Sequence, residues 1–279
     1  MPRTVRNIHR AERDDIADLV TRRPLPSRSI ESLDPFLFLN HHGPQAYPPG
    51  NRGLPFGPHP HRGFETVTFI LDGDLLHRDS GGHESVIGAG GAQWMTAGRG
   101  LVHAELSSPL FMDRGGPLEI LQLWVNLPAR LKMTEPRYLG VQREQVPRLS
   151  LDGATVSLIS GELLRTTGPI ASLTGVWMST VSLAPGASVR LPAPRGRAVF
   201  LYVARGALSG IPAFHLVELN DDADEVELRS PEGATVLFGH GAPLGEPVVA
   251  QGPFVMNTRE EIVQAIRDYH AGLFGPPMD

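Results

Sequence analysis

The chain has 279 residues, 41% of them hydrophobic and 20% charged, and a formal net charge of −5. This balance excludes wholesale disorder, and at roughly 100–200 residues per domain it leaves room for two domains. There is no cysteine, which excludes disulfides, iron–sulfur clusters and thiolate zinc sites.

The N-terminus, MPRTVRNIHRAERDD, is charged from its third residue and lacks the apolar core of a secretory signal. No run approaches the ~18 apolar residues that a membrane helix needs. The expected compartment is the cytoplasm, with no membrane association. Nothing in this acidic chain advertises a basic, phosphate-binding patch, so direct nucleic-acid binding is not expected; its basic residues are nearly all arginine, Lys132 being the only lysine.

In chain order, Ala11–Val20 reads as a first helix. Short segments rich in Val, Ile, Leu and Phe follow: Thr66–Leu71, Glu119–Val125, Thr155–Ile159, Val176–Leu183, Val199–Val203 and Thr235–Phe238. Scattered glycine and proline separate them, the pattern of a β-sandwich or barrel. A terminal helix starts at Thr258, which forms a capping box with Glu261. Ile262, Ile266, Tyr269 and Leu273 then share one face at helical spacing, and Gly272 and Gly275 end the helix.

Residues 59–73 read HPHRGFETVTFILDG and residues 192–206 read PAPRGRAVFLYVARG. Each has an Arg-Gly at the same offset, then an apolar strand and a closing glycine. Two homologous β-domains are the economical reading, 1–140 and 141–279, with the boundary near Pro136–Pro147.

Without cysteine, a metal site must come from His, Asp and Glu. His59 and His61 are two apart, and on a strand such residues face the same side. His103 and Glu105 repeat that relation about 40 residues later. Together they offer three imidazole nitrogens and one carboxylate. In the second copy the positions of His59, His61 and Glu65 fall to Pro192, Pro194 and Ala198. Proline has no side-chain donor, so one ion per chain is expected, in the first half. His215, His240 and His270 then read as surface histidines. Glu65 reads as supporting the site rather than ligating. His41 and His42 read as loop residues that bond the backbone or line the pocket mouth, His77 as a strand-end surface residue, and Trp94 as core.

HPHRGFETVTFILDG, then HRDS at 77–80, then QWMTAGRGLVHAE at 93–105, resembles the pirin family of the cupin superfamily. The similarity runs from Phe36–Gly43 through Leu118–Leu127 and more loosely to the terminal helix. It implies an all-β bicupin of two jelly-roll barrels with a C-terminal helix. Its N-terminal barrel would hold iron through His59, His61, His103 and Glu105. The donor set also suits Mn, Ni, Cu or Zn; the resemblance favours Fe(II). The implied activity is similar to quercetin 2,3-dioxygenase. A small aromatic enol would react with O₂, Glu105 would serve as ligand and base, and Phe56, Phe64 and Phe69 would be candidate pocket walls. Other members resemble redox-sensing transcription cofactors or partner-binding regulators of enzymes. A monomer is expected.

Overall fold

The computed structural model describes residues 1–278. Strands dominate, with two α-helices among the described residues, Pro109–Arg114 and Arg259–His270. No helix among them is long and apolar enough to cross a membrane.

The chain forms two compact units, each built from separated stretches. One gathers Asp14–Thr21, Phe36–Arg143 and the chain from Leu244 on. The other gathers Met1–Arg13, Arg22–Pro35 and Glu144–Pro243. The main junction, Arg143 to Glu144, falls inside the proline-bearing stretch that the sequence marks. The halves are not the contiguous domains 1–140 and 141–279, because the terminal helix belongs with the first barrel and the N-terminal strand with the second.

In the first unit, five strands lie in the order Arg137–Val141, Ala92–Thr96, Phe64–Asp72, Gly116–Asn126, Phe36–Tyr47. A second sheet runs Phe56–His61, Leu101–Leu106, Asp74–Asp79, Glu84–Gly88. Register places Thr68 opposite both Gln93 and Gln122, and Thr66 opposite Met95 and Trp124. With two-residue alternation these share one face. Ile70, Leu75, Ile87, Phe111 and Ile120 belong to one apolar cluster of this unit. The terminal helix opens on the expected capping box and buries Ile262 and Ala265 against Phe254, Met256 and Phe274. Each large side chain removed from water there contributes about 1.5–3 kcal/mol. Leu273, expected on the buried face, lies beyond the helix end and is exposed.

The second unit stacks Val5–Arg10, His215–Leu219, Ala198–Leu208, Ala234–Gly241, Trp177–Leu183, Ala154–Ser160 and Arg148–Leu151 in one sheet. Val199, Leu201, Val203, Val236 and Phe238 enter its core. Ser188–Pro192 pairs with Glu225–Arg229 as a two-stranded ribbon. The internal repeat is structural: its glycines Gly63, Gly73, Gly196 and Gly206 all take positive φ, a conformation glycine adopts without strain. At Gly63 a Cβ would also come within 2.0 Å of the Val255 carbonyl oxygen.

The helix expected at Ala11–Val20 does not form. Ala11 N–H donates to Phe214 O at 2.8 Å. Glu12 and Arg13 pair with Arg23 and Arg22, and Ile16 and Leu19 close a turn around Ala17 at φ 55. Long-range backbone pairing overrides local helix propensity here.

Candidate metal centre

His59 and His61 sit on the strand Phe56–His61. Its antiparallel neighbour Leu101–Leu106 places His103 opposite His59, and Leu101 opposite His61. The three rings close a triangle with centroids 4.8, 4.4 and 5.0 Å apart. One nitrogen from each lies within 4.8 Å of the other two, an arrangement that can hold a metal ion.

Hydrogen bonds set the rings' tautomers. His59 Nδ1–H donates to Gly57 O at 2.8 Å, and His61 Nδ1–H donates to Pro253 O at 3.4 Å. Each bond leaves Nε2 as a lone-pair donor, the usual way a second partner orients a metal-ligating histidine. His103 is fully buried, and neither of its ring nitrogens has a partner among the described residues. Buried polar atoms are nearly always hydrogen-bonded. Two orphans on one ring, beside two exposed lone pairs, fit a cation. Burial, reinforced by charge on His59, pulls His61 down to about 3; burial also holds His103 well below the usual histidine range. Both are therefore neutral at neutral pH, the form that ligates metal.

A bulge between His103 and Glu105 puts Glu105 opposite Phe56 on one side and His77 on the other. Glu105 lies outside the three-histidine group. Its Oε1 accepts from Gln93 Nε2 at 2.6 Å and Thr68 Oγ1 at 3.2 Å, and its Oε2 accepts from the Gln122 amide. Gln93 in turn accepts from Tyr138 Oη at 3.0 Å. The sequence pointed to none of Thr68, Gln122 or Tyr138, which come from three separate strands.

Glu65 lies on the opposite face of its strand from Thr66 and Thr68. Its Oε1 accepts from Thr96 Oγ1 at 2.7 Å, while Oε2 is buried without a hydrogen-bond partner among the described residues. Burial raises its carboxyl to about 7, against the lowering effect of the Thr96 bond. Among the expected pocket walls, Phe64 packs against His61 at 5.0 Å, with Trp124 at 5.3 Å beside it. Phe56 tilts over His42. Phe69 has the parity of Glu65 and faces away.

Several histidines differ from expectation. His77 is fully buried, not at the surface. It stacks on Tyr138 with ring centroids 3.9 Å apart and bonds Asp79 at 2.9 Å, and Asp79 also bonds the half-exposed His83. His41 and His42 are buried in the strand Phe36–Tyr47 rather than in a loop. His41 pairs with Glu119 at 2.8 Å and His42 with Thr21 at 2.9 Å. His240, expected at the surface, is buried in the second unit, where it stacks on Trp177.

Family models for "Pirin" and for "Pirin C-terminal cupin domain" match residues 18–125 and 178–275. Human pirin is 40% identical over 258 residues, covering 89% of this chain and 85% of its own. A Pseudomonas aeruginosa protein provisionally named quercetin 2,3-dioxygenase is 38% identical over 250 residues, covering 88% and 87%. The crystal structure of a quercetin 2,3-dioxygenase from Acinetobacter baumannii superposes with a TM-score of 0.90 at 33% identity over 100% of both chains. A nickel(II) complex of an Escherichia coli pirin shares the fold at 18% identity and a TM-score of 0.66, over 85% of this chain and 99% of that one. With both cupin halves matched and the likeness running through nearly the whole length, this chain belongs to the pirin family.

Proposed function

We propose that the first barrel holds one divalent metal ion through His59, His61 and His103, with Glu105 as the fourth ligand. On that reading the protein is a metal-dependent dioxygenase that cleaves a flavonol-like, quercetin-type enol with O₂. The observation that carries the reading is the convergence of the three histidines around His103, whose two buried nitrogens lack partners among the described residues. Fe(II) is the favoured ion by resemblance; Mn, Ni, Cu and Zn suit the same donors.

A bound ion supplies Lewis acidity and redox chemistry at the three nitrogens. The chain's own residues do the rest. Glu105 takes the enol proton at a carboxylate oxygen. Gln93 and Thr68 hold its Oε1 and Gln122 holds its Oε2, so little reorganisation is needed as the proton moves. Phe64 and Trp124 form an apolar wall beside His61 that favours an aromatic ring over water.

A second reading is an iron-binding, redox-sensitive regulator without turnover, acting on transcription or on a partner enzyme. It is favoured by the engagement of Glu105 with three donors rather than with the histidines. Fe(II)-loaded protein mixed anaerobically with quercetin and then exposed to air separates the two. Loss of flavonol absorbance with carbon monoxide release supports the dioxygenase. A fully metallated sample without turnover supports the regulator.

A further inference from the structure

His61 and Arg62 are held by the far end of the chain. The carbonyl of Pro253, 192 positions beyond His61, accepts from the His61 ring at Nδ1, 3.4 Å away. The same carbonyl accepts from the Arg62 backbone N–H at 3.3 Å, and Val255 N–H returns a bond to Arg62 O at 3.0 Å. Arg62 and Phe254 thereby form a short parallel bridge. The ring orientation of one histidine and the path of the backbone after it depend on one distant stretch.

The Arg62 side chain fastens that stretch again. It is buried, and its Nε donates to Arg99 O at 2.6 Å. Its Nη1 donates to Asp268 Oδ2 at 2.7 Å, and its guanidinium lies 4.6 Å from the centre of the Phe274 ring. A guanidinium held by a charge-assisted bond and an aromatic face has little freedom. Asp268 belongs to the terminal helix, and Phe274 follows it closely.

The strand of His103 is tied to the same segment. Ser80 Oγ–H donates to Phe274 O at 2.5 Å, and Ser80 Oγ accepts from Val102 N–H at 3.1 Å. Val102 alternates with His103, so its side chain takes the opposite face of the strand. There it packs against Phe254, Met256, Ile262, Ala265 and Phe274. Covering an apolar face would need only that cluster. The polar ties from Pro253, Asp268 and Phe274 reach further, to the two histidine strands themselves.

We propose that the segment Pro253–Phe274 is a working part of the metal centre, with Arg62, Asp268 and Phe274 as positioning residues that set His61 and His103. The proposal rests on the three-histidine reading of the site given above. Coupling between two sites is reciprocal. An ion on those histidines therefore tightens the docking of the terminal helix by the same factor that the docked helix tightens the ion.

The test uses the full-length protein and Zn(II), a redox-inert ion that suits the same donors. In chelator competition, Asp268→Ala and Phe274→Ala should bind Zn(II) about 10-fold or more weaker than the parent, with an unchanged circular dichroism spectrum. Asp268→Glu keeps the carboxylate and should recover most of the affinity. Val263→Ala, at an exposed position of the same helix, should bind as the parent does. Hydrogen exchange on the parent needs no variant: saturating Zn(II) should slow the amides of Arg259–His270 several-fold, and should not do so in His59→Ala. Parent-like affinity in both Asp268→Ala and Phe274→Ala, or helix exchange indifferent to bound Zn(II), overturns the proposal and leaves the metal site standing. A parent that binds Zn(II) no better than His59→Ala overturns the metal reading, and the proposal with it.

Discussion

Gln93 donates its side-chain amide to Glu105 Oε1 at 2.6 Å, so the carboxylate on His103's own strand is oriented by a neutral residue from a strand of the other sheet. Gln93→Leu keeps the volume and removes the donor. Supporting partners of metal ligands are typically worth 10–100-fold in affinity. We expect Fe(II) affinity, measured by chelator competition, to fall about 10-fold or more while the circular dichroism spectrum is unchanged.

His59→Ala, His61→Ala and His103→Ala should each lose most bound metal, because each removes one nitrogen of a three-nitrogen group. His83→Ala should keep it, since that half-exposed ring bonds Asp79. Elemental analysis after desalting reads the outcome, and metal loss in His83→Ala with retention in His61→Ala would place the ion elsewhere.

Glu65 and Glu105 should separate cleanly. Glu105→Gln should abolish turnover or strongly weaken metal binding, whereas Glu65→Gln should leave metal content intact. The folded Glu65 carboxyl stays protonated up to about 7, while its unfolded counterpart ionises near 4.5. The unfolded state therefore binds fewer protons between those values, and this residue's contribution to stability falls as pH rises through them. Glu65→Gln is neutral at every pH. It should raise the unfolding free energy from urea titration at pH 8 by roughly 1–3 kcal/mol, and by less at pH 5.

Acid acts in the opposite direction. His61 and His240 are held at about 3, and His103 also lies far below its ordinary value, each chiefly by burial. Below about 6.5 the unfolded chain takes up protons that these buried rings refuse. The metal-free protein should therefore lose stability as pH drops, at roughly 1.4 kcal/mol per pH unit for each histidine. Urea titrations at pH 7 and pH 5 measure the slope, and loading with metal should flatten the response.

Metal analysis of a reconstituted sample should give one ion per chain. In the second barrel the repeat places Pro192 and Pro194 where the first has His59 and His61. The buried histidine there, His240, accepts from Arg197 Nε at 2.6 Å through Nδ1. A guanidinium at that distance opposes a second cation. Two tightly bound ions, with one lost in His240→Ala, would contradict this.

What the sequence made legible is local. Alternation and glycine punctuation mark strands such as Phe64–Asp72 and Ala198–Leu208, and a capping box marks the last helix. The i, i+2 spacing puts His59 and His61 on one face, and strand pairing brings His103 to them. What was hidden depends on distant partners. Ala11–Val20 yields to backbone pairing with residues such as Phe214. His77 is buried by Tyr138, 61 residues further along the chain. Glu105 is drawn to donors on three other strands. The exchange of terminal segments between the units has no local signature.

The sole lysine has a consequence of its own. Lys132 is buried, its Nζ donating to Asn126 Oδ1 at 2.6 Å, Gly63 O at 2.9 Å and Val255 O at 3.0 Å. Burial lowers it to about 8, but its lone pair has no path to solvent while those three bonds hold. An ε-amine acylating reagent thus has no lysine to meet on the native chain. Its rate of attachment to Lys132 counts openings of the first barrel, so the molecule carries its own chemical clock for how often that barrel comes apart.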